Sequence, residues 1–203
     1  KYATSVTLPS TLGIDPTRQR LPENQEQPIS LIYAWVFITD REEGLVMTTV
    51  ATLVDGNPNN NFLDKDLKTI RFNPDNKLAG AMHSYMAGTN LFVVAKKGLF
   101  VLGLHNDKLE APKLVAELSS GEFKNPRAVS VQFRYAYVTD DDGFKVVDLT
   151  DPAKPRLIPS ATVPLKHAQR FYHARTYAYV ANGAEGLAFI DISNPEQPRL
   201  ERM

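Results

Sequence analysis

The sequence lacks cysteine altogether. A disulfide framework, a thiolate zinc site, a catalytic cysteine and covalent haem attachment are therefore excluded within these 203 residues. An excess of charge is also missing, because 23 Lys and Arg residues balance 23 Asp and Glu residues. Nonspecific nucleic-acid binding needs a surplus of basic residues that displace counterions, so we expect no nucleic-acid partner.

Long apolar runs are missing as well. The longest extends from Leu31 to Ile38, well short of the ~20 residues that a helix needs to cross a bilayer. We therefore expect no membrane span. Residue 1 is a lysine rather than an initiator methionine, and residues 1–10 lack the apolar stretch of a signal peptide. We accordingly expect the chain to be processed, tagged or cut from a longer protein.

Motifs of common catalytic sites are absent from the sequence. It has no G-x-S-x-G elbow, no P-loop, no G-x-G-x-x-G and no H-E-x-x-H. We therefore predict a protein that is not an enzyme, and assign no catalytic residue, metal ligand or cofactor. The three aspartates at 140–142 lack the spacing of a calcium loop, and their place between two apolar runs favours a hairpin turn.

Internal repetition is the strongest signal that the sequence does contain. Residues 135–140 (YAYVTD) match residues 177–182 (YAYVAN) at an offset of 42. Residues 143–152 (GFKVVDLTDP) match residues 186–195 (GLAFIDISNP) at an offset of 43, so the single slip falls between two apolar runs. Residues 91–102 and 36–47 show the same order of apolar run, polar turn, glycine and apolar run.

Each repeat has the composition of β-strands. The apolar runs are short, rich in Tyr, Val, Phe and Ile, and bounded by Gly, Asp, Asn or Pro. Four antiparallel strands in about 43 residues is typical of a propeller blade. The sequence therefore predicts an all-β protein, a β-propeller segment spanning residues 1–203. Its four repeats are placed at residues 24–66, 78–120, 126–164 and 168–203.

Four-bladed rings are rare and rings of roughly six to eight blades are commoner, so we expect this segment to belong to a larger ring. Residues 1–10 alternate between apolar and polar side chains and would then form the outer strand of a preceding blade. Exposed sheet faces of such a segment must be covered. A protein partner or the remaining blades of the parent chain would cover them.

The repeated pattern YAYV, polar turn, glycine and VVDLTDP resembles the LVIVD repeat, a family of β-propeller repeats. The resemblance is close over residues 126–200 and loose in the two upstream copies, which depart from the aspartate–proline ending. It implies an extracytoplasmic bacterial or archaeal protein, secreted, periplasmic or at the cell surface. It also implies that the propeller serves binding or scaffolding.

Equivalent positions before the repeated YAYV strand carry polar, nitrogen-bearing side chains. The repeat offsets place Arg127 and Gln169 at one such position, and offsets of 44 and 56 add His83 and Gln27. If this strand is the innermost of each blade, the four side chains line one mouth of a central channel. They would form a shallow surface for an anion or a carbonyl group, or simply a solvated channel entrance.

The function that the sequence favours is a non-catalytic binding or assembly scaffold. Two alternatives stay open. The chain could be an accessory structural part of an extracellular redox or multihaem cytochrome assembly, with the haem motifs elsewhere in that assembly. It could also be a propeller hydrolase or lyase that uses His83 and Arg127 at the channel mouth.

Overall fold

The computed structural model describes residues 1–9, 31–49, 68–105, 108–119 and 121–203. Regular structure within them is β-strand, apart from short 3-10 turns at Leu31–Ala34, Pro74–Asn76, Pro159–Ala161 and Gly183–Glu185. Among the described residues, none of the helical segments has the length and hydrophobicity to cross a membrane. The strands are β1 Ala3–Thr7, β2 Trp35–Asp40, β3 Gly44–Thr49, β4 Thr69–Phe72, β5 His83–Ala87, β6 Asn90–Ala95, β7 Gly98–Gly103, β8 Lys113–Ser119, β9 Ala128–Gln132, β10 Tyr135–Thr139, β11 Gly143–Asp148, β12 Arg156–Leu157, β13 Val163–Pro164, β14 Phe171–Ala174, β15 Tyr177–Ala181, β16 Leu187–Asp191 and β17 Arg199–Arg202.

The strands form four antiparallel sheets in simple sequence order. Blade 1 is β1–β4, blade 2 is β5–β8, blade 3 is β9–β12 with β13 added to β11, and blade 4 is β14–β17. The prediction of an all-β propeller segment with about four blades of four strands is thereby confirmed. The fourth strand of blade 3 departs from expectation. Prolines lack the N–H that a ladder needs, and Pro159 begins a 3-10 turn that divides the strand into β12 and β13.

Blades 1, 2 and 3 each pack one face onto the next blade along the chain, and this face is here called the forward face of a blade. A cross-strand pair marks the centre of this face in every blade. The pairs are Phe37–Met47, Phe92–Val101, Tyr137–Val146 and Tyr179–Phe189. The first three pairs are buried in separate apolar clusters that join blades 1 and 2, blades 2 and 3, and blades 3 and 4. Three repeated interfaces therefore hold the array together.

The amino-terminal strand differs from the prediction. Ala3–Thr7 is not the outer strand of a preceding blade but pairs with Trp35–Asp40 as the inner strand of blade 1. Thr4 fixes it against blade 2, because its Oγ1 donates to the Ala81 carbonyl oxygen over 2.8 Å. Blade 1 thus begins at β1 rather than at residue 24. The sequence conceals this because a long segment separates β1 from β2, and residues 10–30 of that segment lie outside the described residues.

Candidate functional site at the inner strands

The inner strands β1, β5, β9 and β14 surround one cavity of about 380 Å³. Side chains from all four blades line it, including Thr7, His83, Ser130 and His173. An arrangement in which four sequential sheets share one axial cavity is that of a propeller. The cavity is therefore the natural first candidate for a functional site.

Most polar groups at this cavity are already used to join neighbouring blades. Thr7 Oγ1 lies 2.8 Å from both the Oγ and the carbonyl oxygen of Ser84. His83 Nδ1 lies 3.2 Å from the backbone nitrogen of Val129 and 3.1 Å from its carbonyl oxygen, so this nitrogen can pair with the backbone in either tautomer. Ser130 Oγ and His173 Nδ1 are 2.6 Å apart. One polar link thus connects each successive pair of blades.

Arg170 adds a link from the last blade to the first two. Its Nη2 donates to the carbonyl oxygens of Thr4 over 3.0 Å and of Met82 over 2.8 Å. Its Nη1 is buried and has no hydrogen-bond acceptor among the described residues. Burial lowers the pKa of the Arg170 guanidinium, as expected for a cation removed from water. A buried N–H donor without an acceptor is costly, so Nη1 is equipped for a further anionic or carbonyl partner.

The two histidines of the inner strands favour their neutral forms. Burial lowers the pKa of His83 to about 4, and the positive charge of Arg170 adds to this effect. Burial also lowers the pKa of His173. Both imidazoles are therefore uncharged near neutral pH and serve as hydrogen-bonding links between blades rather than as cationic sites.

Acidification is expected to destabilise the fold between about pH 6.5 and pH 4, the limits that the ordinary and native pKa values of His83 set. In this interval the imidazole is protonated in the unfolded chain and neutral in the native one, so acid favours unfolding. His83 alone would remove on the order of 3 kcal/mol of the free energy of unfolding. Urea unfolding midpoints measured across this interval provide the test. The variant His83→Gln should flatten the profile.

The matched control is His167→Gln, because His167 is exposed. That variant should keep the pH dependence of the unmodified chain. Aspartates whose pKa is lowered by the fold, such as Asp148, affect stability mainly below their ordinary pKa of 3.8. The change in stability between about pH 6.5 and pH 4 therefore reports on the histidines. If His83→Gln retained the full slope, burial of His83 would not be the source of the acid sensitivity.

The predicted site residues do not converge on one cavity. The backbone nitrogens of Met82, Arg127 and Gln169 donate to the carbonyl oxygens of Val94, Thr139 and Ala181, each of which pairs with the residue after the hairpin glycine of its blade. Arg127 and Gln169 are therefore equivalent, whereas the residue equivalent to them in blade 2 is Met82. His83 lies one position further along, and on a strand this shift turns a side chain to the other face.

The four side chains consequently have separate environments. His83 lines the axial cavity, whereas Arg127 lines a different one. The Arg127 guanidinium binds the Ala168 carbonyl oxygen over 3.1 Å and also pairs with Asp141. Gln169 is exposed and lines neither of these two cavities. Gln27 lies outside the described residues.

Sequence analysis missed the Ser130–His173 contact. The strand register aligns His173 with Val131, because Phe171 and Val129 face the equivalent residues Val180 and Val138. The sequence did contain a signal for this contact, namely a histidine at a position where the preceding repeat has valine. A serine–histidine pair alone does not make an active nucleophile, since a third group normally orients the imidazole. Among the residues that line this cavity, none is Asp or Glu.

Comparison with protein families identifies the repeat. The LVIVD repeat model matches residues 125–163 and 175–202. The matched residues lie in blades 3 and 4, the two repeats in which the sequence pattern resembles this family most closely. In sequence, none of the curated proteins matches this chain.

Solved structures with a similar fold include the N-terminal domain of Nup159, with a TM-score of 0.49 and 11% identity over 86% of this chain and 42% of that chain. A complex of S. cerevisiae Dbp5 bound to Nup159 gives a TM-score of 0.49 and 12% identity over 98% of this chain and 48% of that chain. AztD from Citrobacter koseri gives 0.47 and 14% identity over 83% and 54%. The chain spans about half the length of these structures.

Proposed function

We propose that this chain, whose blades 3 and 4 match the LVIVD repeat, is a non-catalytic β-propeller module that serves as a binding and assembly scaffold. One observation carries the proposal. The forward face of blade 4 has the same pattern of apolar residues that blades 1 to 3 bury against their neighbours, yet here it is partly open to solvent. The forward face of blade 4 is therefore the same kind of surface that joins blades 1 to 3 to their neighbours, and it is open to a further sheet.

The equivalence holds residue by residue. Tyr137 and Phe144 of blade 3 are essentially inaccessible because blade 4 covers them. Their counterparts in blade 4 are Tyr179, which is half-buried, and Leu187, which is 44% exposed. Tyr179 and Phe189 hold an edge-to-face contact with ring centroids 5.4 Å apart. The face is thus preorganised in the geometry of the interfaces that precede it.

The opposite end of the array supplies the matching surface. Blades 2, 3 and 4 receive the preceding blade on a second apolar face. In blade 1 the corresponding residues Val36, Ile38 and Val46 are half-buried. An interface of the repeated kind needs a forward face and such a rear face. We therefore name the occupant of the blade 4 face as a further sheet of the same repeat type.

The axial cavity supports a non-catalytic role, because its serine, threonine and histidine side chains already bond neighbouring blades. Their hydrogen bonds rigidify the surface that a scaffold offers. We also propose an extracytoplasmic location, on the strength of the family resemblance. Fractionation of cells that express the natural gene would test that location. Substantial turnover of ester or glycosidic test substrates by the purified chain would contradict the non-catalytic assignment.

Self-association of the purified chain is the expected consequence of the open face. The forward face of blade 4 in one copy would pack on the rear face of blade 1 in another. Leu187→Glu places a charge in this contact and should weaken association roughly tenfold, the effect of losing a buried leucine contact. Sedimentation velocity over a range of protein concentrations measures the change.

Val115→Glu is the matched control, because Val115 is 40% exposed but lies on the outer strand of blade 2. It should leave association unchanged. A second measurement appends another copy of residues 168–203 after Met203, which should cover Leu187 and raise the unfolding midpoint. If the chain stayed monomeric and the added repeat brought no stability, the face would need no cover and the proposal would be wrong.

A further inference from the structure

A second cavity, of about 340 Å³, opens at the end of the inner strands where the hairpins of blades 1 and 2 turn. Arg41 comes from the β2–β3 turn, Lys96 from the β6–β7 turn, and Arg127 from the loop before β9. Met82 and Pro126 add apolar walls. Three successive blades thus direct one cationic residue each to the same cavity.

The charges of this cavity are incompletely neutralised. Among the described residues, neither the Arg41 nor the Lys96 side chain has an ion-pair partner. Arg127 is paired with Asp141, which is the neighbouring carboxylate. None of the residues that line the cavity is itself Asp or Glu. A net positive potential therefore remains where the three side chains meet.

Arg170 of blade 4 lies behind this cavity without lining it. It donates to the carbonyl oxygen of Met82, a residue that lines the cavity. Its charge therefore adds to the positive potential of this region, although its guanidinium is not part of the cavity lining.

The turn architecture does not require these cations. Arg41 and Lys96 directly follow the residue that pairs with the hairpin glycine of their blade, and the residues in the same place are Asp141 in blade 3 and Gly183 in blade 4. The same hairpin therefore closes with a basic, an acidic or a small residue. Since local folding leaves the residue type open, the basic side chains of blades 1 and 2 need another explanation.

We infer that this cavity binds a small oxyanion, the carboxylate or phosphate group of a small molecule, through the side chains of Arg41 and Lys96, with the positive charges of Arg127 and Arg170 nearby. The inference does not rest on the scaffold role, because the forward face of blade 4 is made of different residues. Met82 and Pro126 would contact the remainder of the ligand.

Isothermal titration of the full chain with inorganic phosphate and, separately, with citrate tests the inference at low ionic strength. The double variant Arg41→Gln/Lys96→Gln should weaken binding by about fivefold or more, the effect of removing two exposed charge contacts. Added salt should weaken binding to the unmodified chain in the same direction. Far-ultraviolet circular dichroism verifies that each variant is folded.

Lys97→Gln is the matched control, because Lys97 lies in the same turn but does not line the cavity. Its Nζ donates to the Asn76 carbonyl oxygen instead. Binding of either probe that is lost in the double variant and kept in Lys97→Gln supports the site, and the tighter probe identifies the anion class. Absence of binding of both probes, or equal losses in both variants, overturns it. Leu187→Glu should bind normally, which separates this result from the scaffold proposal.

Discussion

Replacement of Gly143 by alanine is expected to lower the free energy of unfolding by about 3–5 kcal/mol, at the upper end for single substitutions. Gly143 begins β11 with a φ of +137°, a conformation that side chains rarely adopt. An added Cβ would also overlap the Val163 carbonyl oxygen and lie 2.6 Å from the Leu165 nitrogen. These are backbone atoms of the segment that covers the hairpin, so neither can rotate away.

Gly186→Ala provides the comparison within the same protein. Gly186 occupies the equivalent turn of blade 4 with a φ of +88°, but an added Cβ would meet nothing within 4 Å. Only backbone strain remains, so the expected loss is about 1 kcal/mol. Urea unfolding of both variants measures the difference. Equal losses would show that the positive φ, rather than the covering segment, determines the effect.

Asp140→Ala is expected to cause a loss of similar size, about 3–5 kcal/mol, because it removes the buried carboxylate partner of Lys145 and leaves this cation with the more exposed Asp142 alone. Asp140 is fully buried, and its Oδ2 lies 2.7 Å from Lys145 Nζ. Its carboxylate also accepts hydrogen bonds from the backbone nitrogens of Lys124, Asp142 and Gly143. One substitution therefore removes an ion pair, two hydrogen bonds within the hairpin and one hydrogen bond to the loop before β9.

Asp140→Asn is the appropriate control, since blade 4 has Asn182 at this position. Asn182 is buried, and its Oδ1 accepts from the His167 backbone nitrogen over 2.9 Å. An amide should likewise keep part of the hydrogen bonding at position 140, while Lys145 retains Asp142 at 2.9 Å. Thermal unfolding should therefore rank the unmodified chain first, Asp140→Asn second and Asp140→Ala last. An alanine variant as stable as the asparagine variant would contradict this account.

Much of the fold could be predicted because the sequence repeats its local signals. The Tyr-Ala-Tyr-Val runs form middle strands, and the glycines at 143 and 186 adjoin the hairpins that follow them. The aspartates at 140–142 form a turn, where Asp140 binds the backbone nitrogens of Asp142 and Gly143. Such signals act over a few residues, and repetition makes each copy evidence for the others.

Long-range register was harder to predict. Counting back 44 residues from Arg127 leads to His83, yet the hairpin glycines Gly98 and Gly143 are 45 residues apart. The correct offset leads to Met82, which the backbone bonds show to be the equivalent residue. An error of one residue matters on a strand because neighbouring side chains point to opposite faces.

The cationic cavity could not be found from sequence offsets. Arg41, Lys96 and Arg127 come from different parts of their repeats, two from hairpins and one from an entry loop. Only the arrangement of the blades around their axis brings them together. The ion pair between Asp140 and Lys145 was not predicted for a related reason. Lys145 lies among the apolar residues of a strand, whereas Asp140 was predicted to belong to a hairpin turn, so the two were not expected to pair.

The contact from Arg170 to Thr4 has a consequence for biosynthesis, since it joins residues separated by 166 positions. A ribosome synthesises the strand at Ala3–Thr7 long before it reaches Arg170. The nascent chain can pair its first sheet, but the contact from Arg170 to that strand cannot form until the inner end of blade 4 has been synthesised. A chain that terminates before residue 170 would therefore lack the hydrogen bond from Arg170 to Thr4 on β1. We expect proteases to cleave such a chain more readily at β1 than the full chain.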